Sequence, residues 1–190
     1  MASASHSLRV ESELARDGVT RPESAEDCLE STIILRLARP GDAGAIAGTL
    51  RAAFADFEGQ YTPPAFAATT PTPDQVAGRF QEGPIWLAER DGHVLGTVSV
   101  VPLPGELYIR SMAVHPAARG QGIGARLLRA VDDFAAPQGY RRLLLTTTPF
   151  LGAAIRLYEQ AGFRRTGEQA DLFGTALIWM AKDLTETRCL

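Results

Sequence analysis

A glycine-rich turn between a strand-like segment and an amphipathic helix most constrains how this chain can fold. The turn lies in the run VHPAARGQGIG, residues 114–124, directly after the apolar segment 107–114. Alternate glycines permit positive φ angles and let a ligand approach the backbone closely. The first N–H groups of a helix have no intrahelical partner and lie at the positive end of its dipole. We therefore predict a pyrophosphate site here, with Arg119 paired to a phosphate oxygen.

The spacing of these glycines differs from that of two common phosphate-binding motifs. The P-loop pattern G-x-x-x-x-G-K-S/T is absent, and Lys182 is the only lysine in the chain. A dinucleotide fingerprint reads G-x-G-x-x-G and is followed about 20 residues later by an acidic residue. This chain reads G-x-G-x-G, and the corresponding later segment, 143–145, is apolar. A nucleotide pyrophosphate of another kind is indicated.

Two motifs lie on either side of a strand-like segment at 142–148. Arg119, Gly122 and Gly124 match the pattern Arg/Gln-x-x-Gly-x-Gly/Ala, and residues 154–163 read AIRLYEQAGF. In this order the motifs resemble those of the GNAT superfamily of acyl-CoA-dependent N-acyltransferases, over about 33–184. One departure is Leu151, because many relatives carry an asparagine there whose amide meets the pantetheine.

The resemblance implies an α/β (α+β) fold with a single mixed, largely antiparallel central sheet of about six or seven strands flanked by helices. In this family strands 4 and 5 splay apart to admit acetyl-CoA, which leaves as CoA; no metal is expected. The cofactor-binding residues that it implies are Met112, Ala113, Val114, Arg119, Gly120, Gln121, Gly122, Gly124 and Ala125.

The implied reaction is direct transfer of an acetyl group to a primary amine in a ternary complex. The backbone N–H groups of 112–114 are expected to meet the thioester oxygen. Tyr158 matches a family tyrosine whose hydroxyl reaches the cofactor sulfur, and we predict it as the general acid; its apolar helix face also suits a purely structural role.

Proton removal from the amine needs a base or a chain of water molecules, since an alkylamine has a pKa of ~10.4. Glu106 is the predicted base, acting through water. Glu106 is an even number of residues from Tyr108, Arg110, Met112 and Val114, so we predict that it shares their face of the strand. A solvated glutamate at the strand end is the alternative interpretation.

The acceptor pocket is expected within 54–80, the region that shapes it in the family. Asp56 and Glu58 could attract a cationic amine, and Tyr61 could line a wall; solvated carboxylates are the alternative interpretation. Candidate acceptors are a polyamine, an amino acid, an aminoglycoside, or a protein N-terminus or lysine. A small molecule is favoured, because no extended patch for a protein partner is evident. A homodimer is left open.

Two other function classes remain open at this stage. The domain could bind acyl-CoA as a sensor or interaction module without catalysis, for which the loss of the asparagine at Leu151 would be a sign. It could also be a nucleotide-binding regulatory domain that does not use CoA.

Composition narrows the remaining possibilities. The chain has 190 residues and a net charge of −3, so neither nucleic acid nor an anionic membrane is expected as a partner. Two cysteines near opposite ends have no metal or redox spacing. No signal peptide is recognisable, which favours the cytoplasm, and the preference for arginine suggests a GC-rich bacterial genome. Residues 1–30 read as an acidic, mobile tail, and 31–190 as the acetyltransferase domain.

Hydrophobic periodicity and turn residues predict the order of elements. The predicted strands are 32–38, 85–90, 94–101, 107–114, 142–148 and 176–182, and the predicted helices are 42–57, 73–81, 122–136 and 151–161. Residues 58–72 are predicted to form a loop, and Asp42 is predicted to cap the first helix.

Overall fold

The computed structural model describes residues 32–184. The strands are β1 Ile34–Leu37, β2 Ile85–Arg90, β3 His93–Leu103, β4 Glu106–Val114, β5 Arg142–Thr147, β6 Arg164–Leu172 and β7 Thr175–Asp183. They form one sheet in the order β1-β2-β3-β4-β5-β7-β6, antiparallel throughout except for the parallel pair β4 and β5. The predicted fold class is confirmed. The predicted tail, 1–30, lies outside the described residues.

Helices cover both faces of this sheet. They are α1 Ala43–Phe54, α2 Pro63–Thr69, α3 Pro73–Arg79, α4 Ile123–Ala135 and α5 Gly152–Gln160, with short 3-10 turns at Pro40–Asp42, Ala55–Gln60, Pro116–Ala118 and Ala136–Gln138. Side chains of α4 and α5 pack with Val98 and Leu107 in the larger core cluster, while α1 and α3 pack with Leu87 and Ala113. Because strand side chains alternate between faces, the two clusters lie on opposite sides of the sheet.

The prediction of a loop over 58–72 was wrong. This region contains a 3-10 helix and α2, and α2 begins after Thr62, whose side chain accepts a hydrogen bond from the Ala65 N–H. Pro63 and Pro64 occupy the first turn of α2, where a proline costs no intrahelical hydrogen bond. These prolines mark the start of a helix, although the pattern was interpreted as a break.

Strand β6 was not predicted. Most of its side chains are exposed, and within the described residues it pairs only with β7, so it lies at the edge of the sheet. An edge strand with both faces open to solvent needs no apolar alternation, and the sequence RRTGEQADL accordingly has none.

Asp42 stands at the N-cap position of α1, but its side chain caps no helical N–H group. Its carboxylate instead accepts two hydrogen bonds from the Arg36 guanidinium, at 2.8 and 2.9 Å, and one from the Arg39 N–H at 2.6 Å. Arg36 also donates to Glu89 on β2 at 2.9 Å. The predicted N-cap position is thus confirmed, whereas the predicted side-chain cap was wrong; the side chain instead ties β1 to the turn before α1.

Candidate functional site

The parallel strands β4 and β5 are paired only at their first residues. The register runs from Glu106 opposite Arg142 to Ile109 opposite Leu145 and stops there, whereas β4 continues to Val114. Residues 110–114 thus form an open edge inside the sheet. The predicted splay between strands 4 and 5 is confirmed.

The open edge presents backbone donors to the gap. The His115 N–H donates to the Leu95 carbonyl of β3 at 2.8 Å. Because successive N–H groups of a strand point to opposite sides, those of Met112 and Val114 are directed away from β3 and toward the gap. They are two of the N–H groups that the sequence analysis expects to meet the thioester oxygen.

A β-bulge at Arg110 changes the face on which the second half of β4 displays its side chains. Tyr108 is paired with Val101 of β3, but Met112 is paired with Val98, since the register shifts between Ser99 and Val100. Odd and even residues of β3 point to opposite faces. The prediction that Glu106 shares a face with Met112 and Val114 was therefore wrong: Glu106 shares its face with Tyr108 and, beyond the bulge, with Ser111.

The glycine turn adopts the conformation that the sequence requires. Gly120 and Gly122 have φ angles of 79° and 72°, in the left-handed region that favours glycine. Gly122 is the N-cap of α4, and a Cβ at either glycine would meet no atom within 4 Å. The space in front of the first turn of α4, which includes exposed Ala125, is open to a ligand. A pyrophosphate fits this arrangement of free N–H groups and helix dipole.

Two side chains of this turn are held by other parts of the fold. Arg119 donates to the Ala53 carbonyl at the end of α1 at 2.8 Å and lies 3.9 Å from the Asp56 carboxylate. Gln121 accepts a hydrogen bond from Arg90 at 2.8 Å. Arg90, at the end of β2, thus places a positive charge beside the turn. Sequence reasoning missed this residue, because β2 is distant from the turn in the chain.

The third glycine of the motif has a packing role. A Cβ on Gly124 would lie 2.7 Å from Leu157 Cδ2 and 3.5 Å from Met112 Cε. The first turn of α4 therefore approaches α5 and β4 closely. The Ala113 side chain points to the opposite face and is buried among α1 and α3. Its N–H is directed toward β3, so Ala113 offers the gap no donor, and the prediction was wrong for this one of residues 112–114. Leu151 occupies the N-cap position of α5 and makes no side-chain cap.

Tyr158 is buried, with 8% of its surface exposed. Its ring meets that of Phe163 edge-on at 6.0 Å, and its hydroxyl forms no hydrogen bond within residues 32–184. Burial is the main cause that raises the pKa of Tyr158 to about 12, and the nearby phenols of Tyr61 and Tyr108 act in the same direction. The hydroxyl is therefore protonated at neutral pH and able to donate.

Glu106 lies at the paired end of β4, three residues before Ile109. At about 3.3 Å per residue this places it roughly 10 Å from the point where the strands separate. Its carboxylate is 3.8 Å from the Arg142 guanidinium.

The residues predicted for the acceptor pocket lie in different environments. Tyr61 is buried in an aromatic cluster, 4.9 Å from Phe150 between ring centroids, and burial raises its pKa. Asp56 is exposed beside Arg119. Glu58 lines a cavity of about 700 Å³ with Tyr61 and the tip of the β6–β7 turn, Phe173. None of the residues that line this cavity belongs to β4, β5, α4 or α5.

A second group of side chains faces the gap from the side opposite α4 and α5. The Tyr108 hydroxyl lies 2.9 Å from Thr146 Oγ1, and its ring centroid is 5.8 Å from that of Trp179. Further along the same face, the hydroxyls of Ser99 and Ser111 are 2.8 Å apart. Sequence reasoning missed this group because it combines strands β3, β4, β5 and β7.

Two negative findings concern residues 32–184. These residues contain no group of three or more His, Cys, Asp or Glu side chains placed to hold a metal ion. No helix in this part of the chain is long and apolar enough to span a bilayer.

The chain matches known proteins in sequence. The family described as "Acetyltransferase (GNAT) family" matches residues 41–163. The chain is 36% identical over 101 residues to N-acetyltransferase 8 of Rattus norvegicus, and the match covers 50% of this chain and 44% of the relative. It thus spans less than half of that curated relative's length.

The fold also matches solved structures. The paia N-acetyltransferase of Thermoplasma acidophilum in complex with coenzyme A superposes with a TM-score of 0.69 at 15% identity, covering 80% of this chain and 99% of the other. The yncA structure from Salmonella typhimurium with its cofactor acetyl-CoA gives 0.66 at 24% identity, covering 84% and 98%. At such identities the likeness concerns the fold.

Proposed function

The chain belongs to the Acetyltransferase (GNAT) family, and we propose that it moves an acetyl group from acetyl-CoA to a primary amine by direct attack in a ternary complex. The observation that carries this proposal is the open edge of β4 at residues 110–114, which leads directly into the phosphate-binding turn. One continuous segment thereby supplies donors for a carbonyl and for a pyrophosphate.

The phosphate end of the donor is assigned to the turn and the first turn of α4. Free N–H groups and the helix dipole there attract an anion, and the φ angles of Gly120 and Gly122 allow close approach. Arg119, Gln121 and Ala125 border this site. Arg119 donates through Nη2 to the Ala53 carbonyl, which fixes α1 against the turn. The other N–H donors of its guanidinium would pair with a phosphate oxygen.

The reacting end is assigned to the gap between β4 and β5. The N–H groups of Met112 and Val114 would polarise the thioester carbonyl and stabilise the negative charge that develops on its oxygen. Tyr158 would protonate the departing thiolate, a role supported by a hydroxyl that is protonated at neutral pH and has no other hydrogen-bond partner within residues 32–184. Attack by the amine forms the amide bond and releases CoA, so no acyl-enzyme is needed.

The base is assigned to Glu106, acting through water over the roughly 10 Å that separate it from the open edge. Glu106→Gln should lower kcat/KM below the pH at which the amine deprotonates by itself, while leaving it unchanged at high pH. A pH profile identical to that of the wild type would assign proton removal to solvent alone.

For the acceptor we favour a small amine over a protein. It would approach from the face opposite α4 and α5, which holds Tyr108 and Trp179. Asp56, Glu58 and Tyr61 are retained as residues of the wider acceptor region. Asp56 and Glu58 are exposed and could attract an ammonium group toward it.

The first test is thermal melting of the full chain with acetyl-CoA, CoA, longer acyl-CoAs, NAD and ATP. A ligand that binds only the folded state stabilises it by about 2.7 kcal/mol at 100 times its Kd, which shifts Tm by several degrees. We expect a shift with the CoA series alone, followed by amine-dependent release of CoA. Tight CoA binding without turnover on any amine would instead favour a sensor, and a shift with NAD or ATP alone would contradict the donor assignment.

A further inference from the structure

A half-buried arginine lies on the acceptor side of the open β4 edge. Arg79, the last residue of α3, directs its guanidinium toward β4, where Nη1 is 3.5 Å from Ser111 Oγ. Its other contact is with the Ala68 carbonyl, at 3.4 Å. Both distances are at the long end for hydrogen bonds, so neither acceptor satisfies the guanidinium well.

No carboxylate within residues 32–184 forms an ion pair with Arg79. Arg110, whose charge acts on Arg79, is itself paired with Glu82. Burial lowers the pKa of Arg79, and the charge of Arg110 acts in the same direction. Arg79, Arg110 and Glu82 together carry a net charge of +1. Among the described residues the charge without an ion-pair partner is that of Arg79, the more buried of the two arginines. A partly buried guanidinium is costly unless an anion meets it.

The position of Arg79 relates it to the reaction. Its neighbour Ser111 precedes Met112, whose N–H group faces the gap, and Ser111 shares a face with Tyr108. An anion held by Arg79 would therefore lie beside the place where the amine must stand to attack. In an α-amino acid the carboxylate and the amine are separated by one carbon. An anion bound by Arg79 and an amine beside it at the open edge of β4 could therefore belong to one molecule.

Resting on the proposed transferase function, we propose that the acceptor is an amine that carries a carboxylate, and that Arg79 binds this carboxylate. Guanidinium matches the planar geometry of a carboxylate through paired N–H donors. Tyr108 and Trp179 would border the remainder of the acceptor, since they lie on the same face. The assignment selects amino acids among the candidate acceptors and disfavours polyamines and aminoglycosides, which are cationic throughout.

The test compares L-amino acids with their carboxamides as acceptors, using acetyl-CoA and detection of released CoA. The carboxamide is the more easily deprotonated amine, because the carboxylate stabilises the ammonium form. A preference for the acid would therefore not arise from basicity. We expect at least one amino acid to exceed its carboxamide about tenfold or more in kcat/KM, as loss of a charge-assisted pair costs about that much.

Arg79→Gln should remove this preference by raising KM for the acid while leaving the carboxamide unchanged, and Arg79→Lys should restore part of it. Arg165→Gln is the matched control, since Arg165 is exposed on β6 and contacts only Glu159, at 3.9 Å, among the described acids. Equal turnover of acid and amide by the wild type would overturn the inference. So would an equal loss for both substrates in Arg79→Gln, which would indicate a structural role.

A binding measurement separates this inference from the proposed function. If no amine releases CoA, the transferase proposal fails, and melting of the CoA-bound protein with each acid and amide decides the role of Arg79. Stabilisation by amino acids that Arg79→Gln abolishes and Arg165→Gln retains would support a carboxylate site. Stabilisation by amides alone, or by neither compound, would overturn it.

Discussion

Leu157 on α5 occupies the space that a side chain at Gly124 on α4 would need, because a Cβ there would lie 2.7 Å from Leu157 Cδ2. This contact joins the two sequence motifs in space. It also fixes the position of Tyr158, the next residue on α5, relative to the first turn of α4. The geometry of the candidate acid thus depends on the absence of a side chain on another helix.

Gly124→Val should destabilise the protein by about 1–3 kcal/mol, because the added methyl groups overpack the contact with Leu157. Gly48→Val is the control, since Gly48 is an exposed helical glycine with open space around it; it should stay within about 0.5 kcal/mol of the wild type. Chemical denaturation measures both. Adding Leu157→Ala to Gly124→Val should recover part of the loss, and strictly additive effects would refute the contact as its cause.

Gly122→Val should raise the Kd for CoA by about tenfold or more, since a side chain there fills the open space and opposes a φ of 72°. Gly139→Val introduces comparable backbone strain at a φ of 78°, at the far end of α4, and should leave CoA affinity unchanged. Isothermal titration with CoA checks both variants. Unaltered affinity in Gly122→Val would place the pyrophosphate elsewhere.

Tyr158→Phe should lower kcat by roughly 100-fold or more, the usual contribution of a positioned general acid. CoA affinity and stability at neutral pH should change little, because the hydroxyl forms no hydrogen bond within residues 32–184. Tyr140→Phe, a half-buried tyrosine stacked on Phe134, is the matched control. Wild-type kcat in Tyr158→Phe would leave Tyr158 with a packing role only.

The same variant has a signature in alkaline solution. A tyrosine ionises near pH ~10 in the unfolded chain, and in the folded state the pKa of Tyr158 is about 12. The stability due to this shift is therefore complete below pH ~10 and is lost as the pH rises toward 12. Tyr158→Phe should lose less stability than the wild type over that interval, as followed by denaturation at each pH.

Asp42→Asn should lower stability at neutral pH by on the order of 1 kcal/mol, because Asp42 accepts charged hydrogen bonds from Arg36 in a half-buried position. The Arg36 contact lowers the pKa of Asp42 to about 2. The contribution is present above the unfolded pKa, near ~4, and is lost as the pH falls through 2. Wild type and variant should converge in acid. Asp133→Asn, at an exposed position on α4, should show no such trend.

Local chemistry in the sequence was sufficient to predict the glycine turn and α4. Alternate glycines require a special backbone, and the apolar stripe of Ile123, Leu127 and Val131 permits little but a helix packed on a sheet. The glycine spacing and the apolar stripe can each be recognised within a short stretch of sequence. The two motifs also indicated the family and, through it, the splayed sheet.

Some sequence patterns are compatible with two different structures, and in three places the prediction did not match the structure. Pro63 and Pro64 start α2 but resemble loop residues, and β6 has no apolar alternation because it is exposed at the edge. In β4, the strict alternation that placed Glu106 with Met112 failed at Arg110, where one extra residue reverses the face. No sequence signal distinguishes such a bulge from a regular strand.

The sequence by itself determined the fold class, the family, the glycine turn and the place of Tyr158 on the apolar face of a helix, because each depends on short-range spacing or motifs. Only the tertiary structure decided what surrounds them: the Gly124–Leu157 contact, the Arg90–Gln121 pair, and Arg79 beside Ser111 with no ion-pair partner among residues 32–184. These arrangements join residues distant in the chain, and their geometry follows from how strands twist and helices pack. Specificity for the acceptor belongs to this second class.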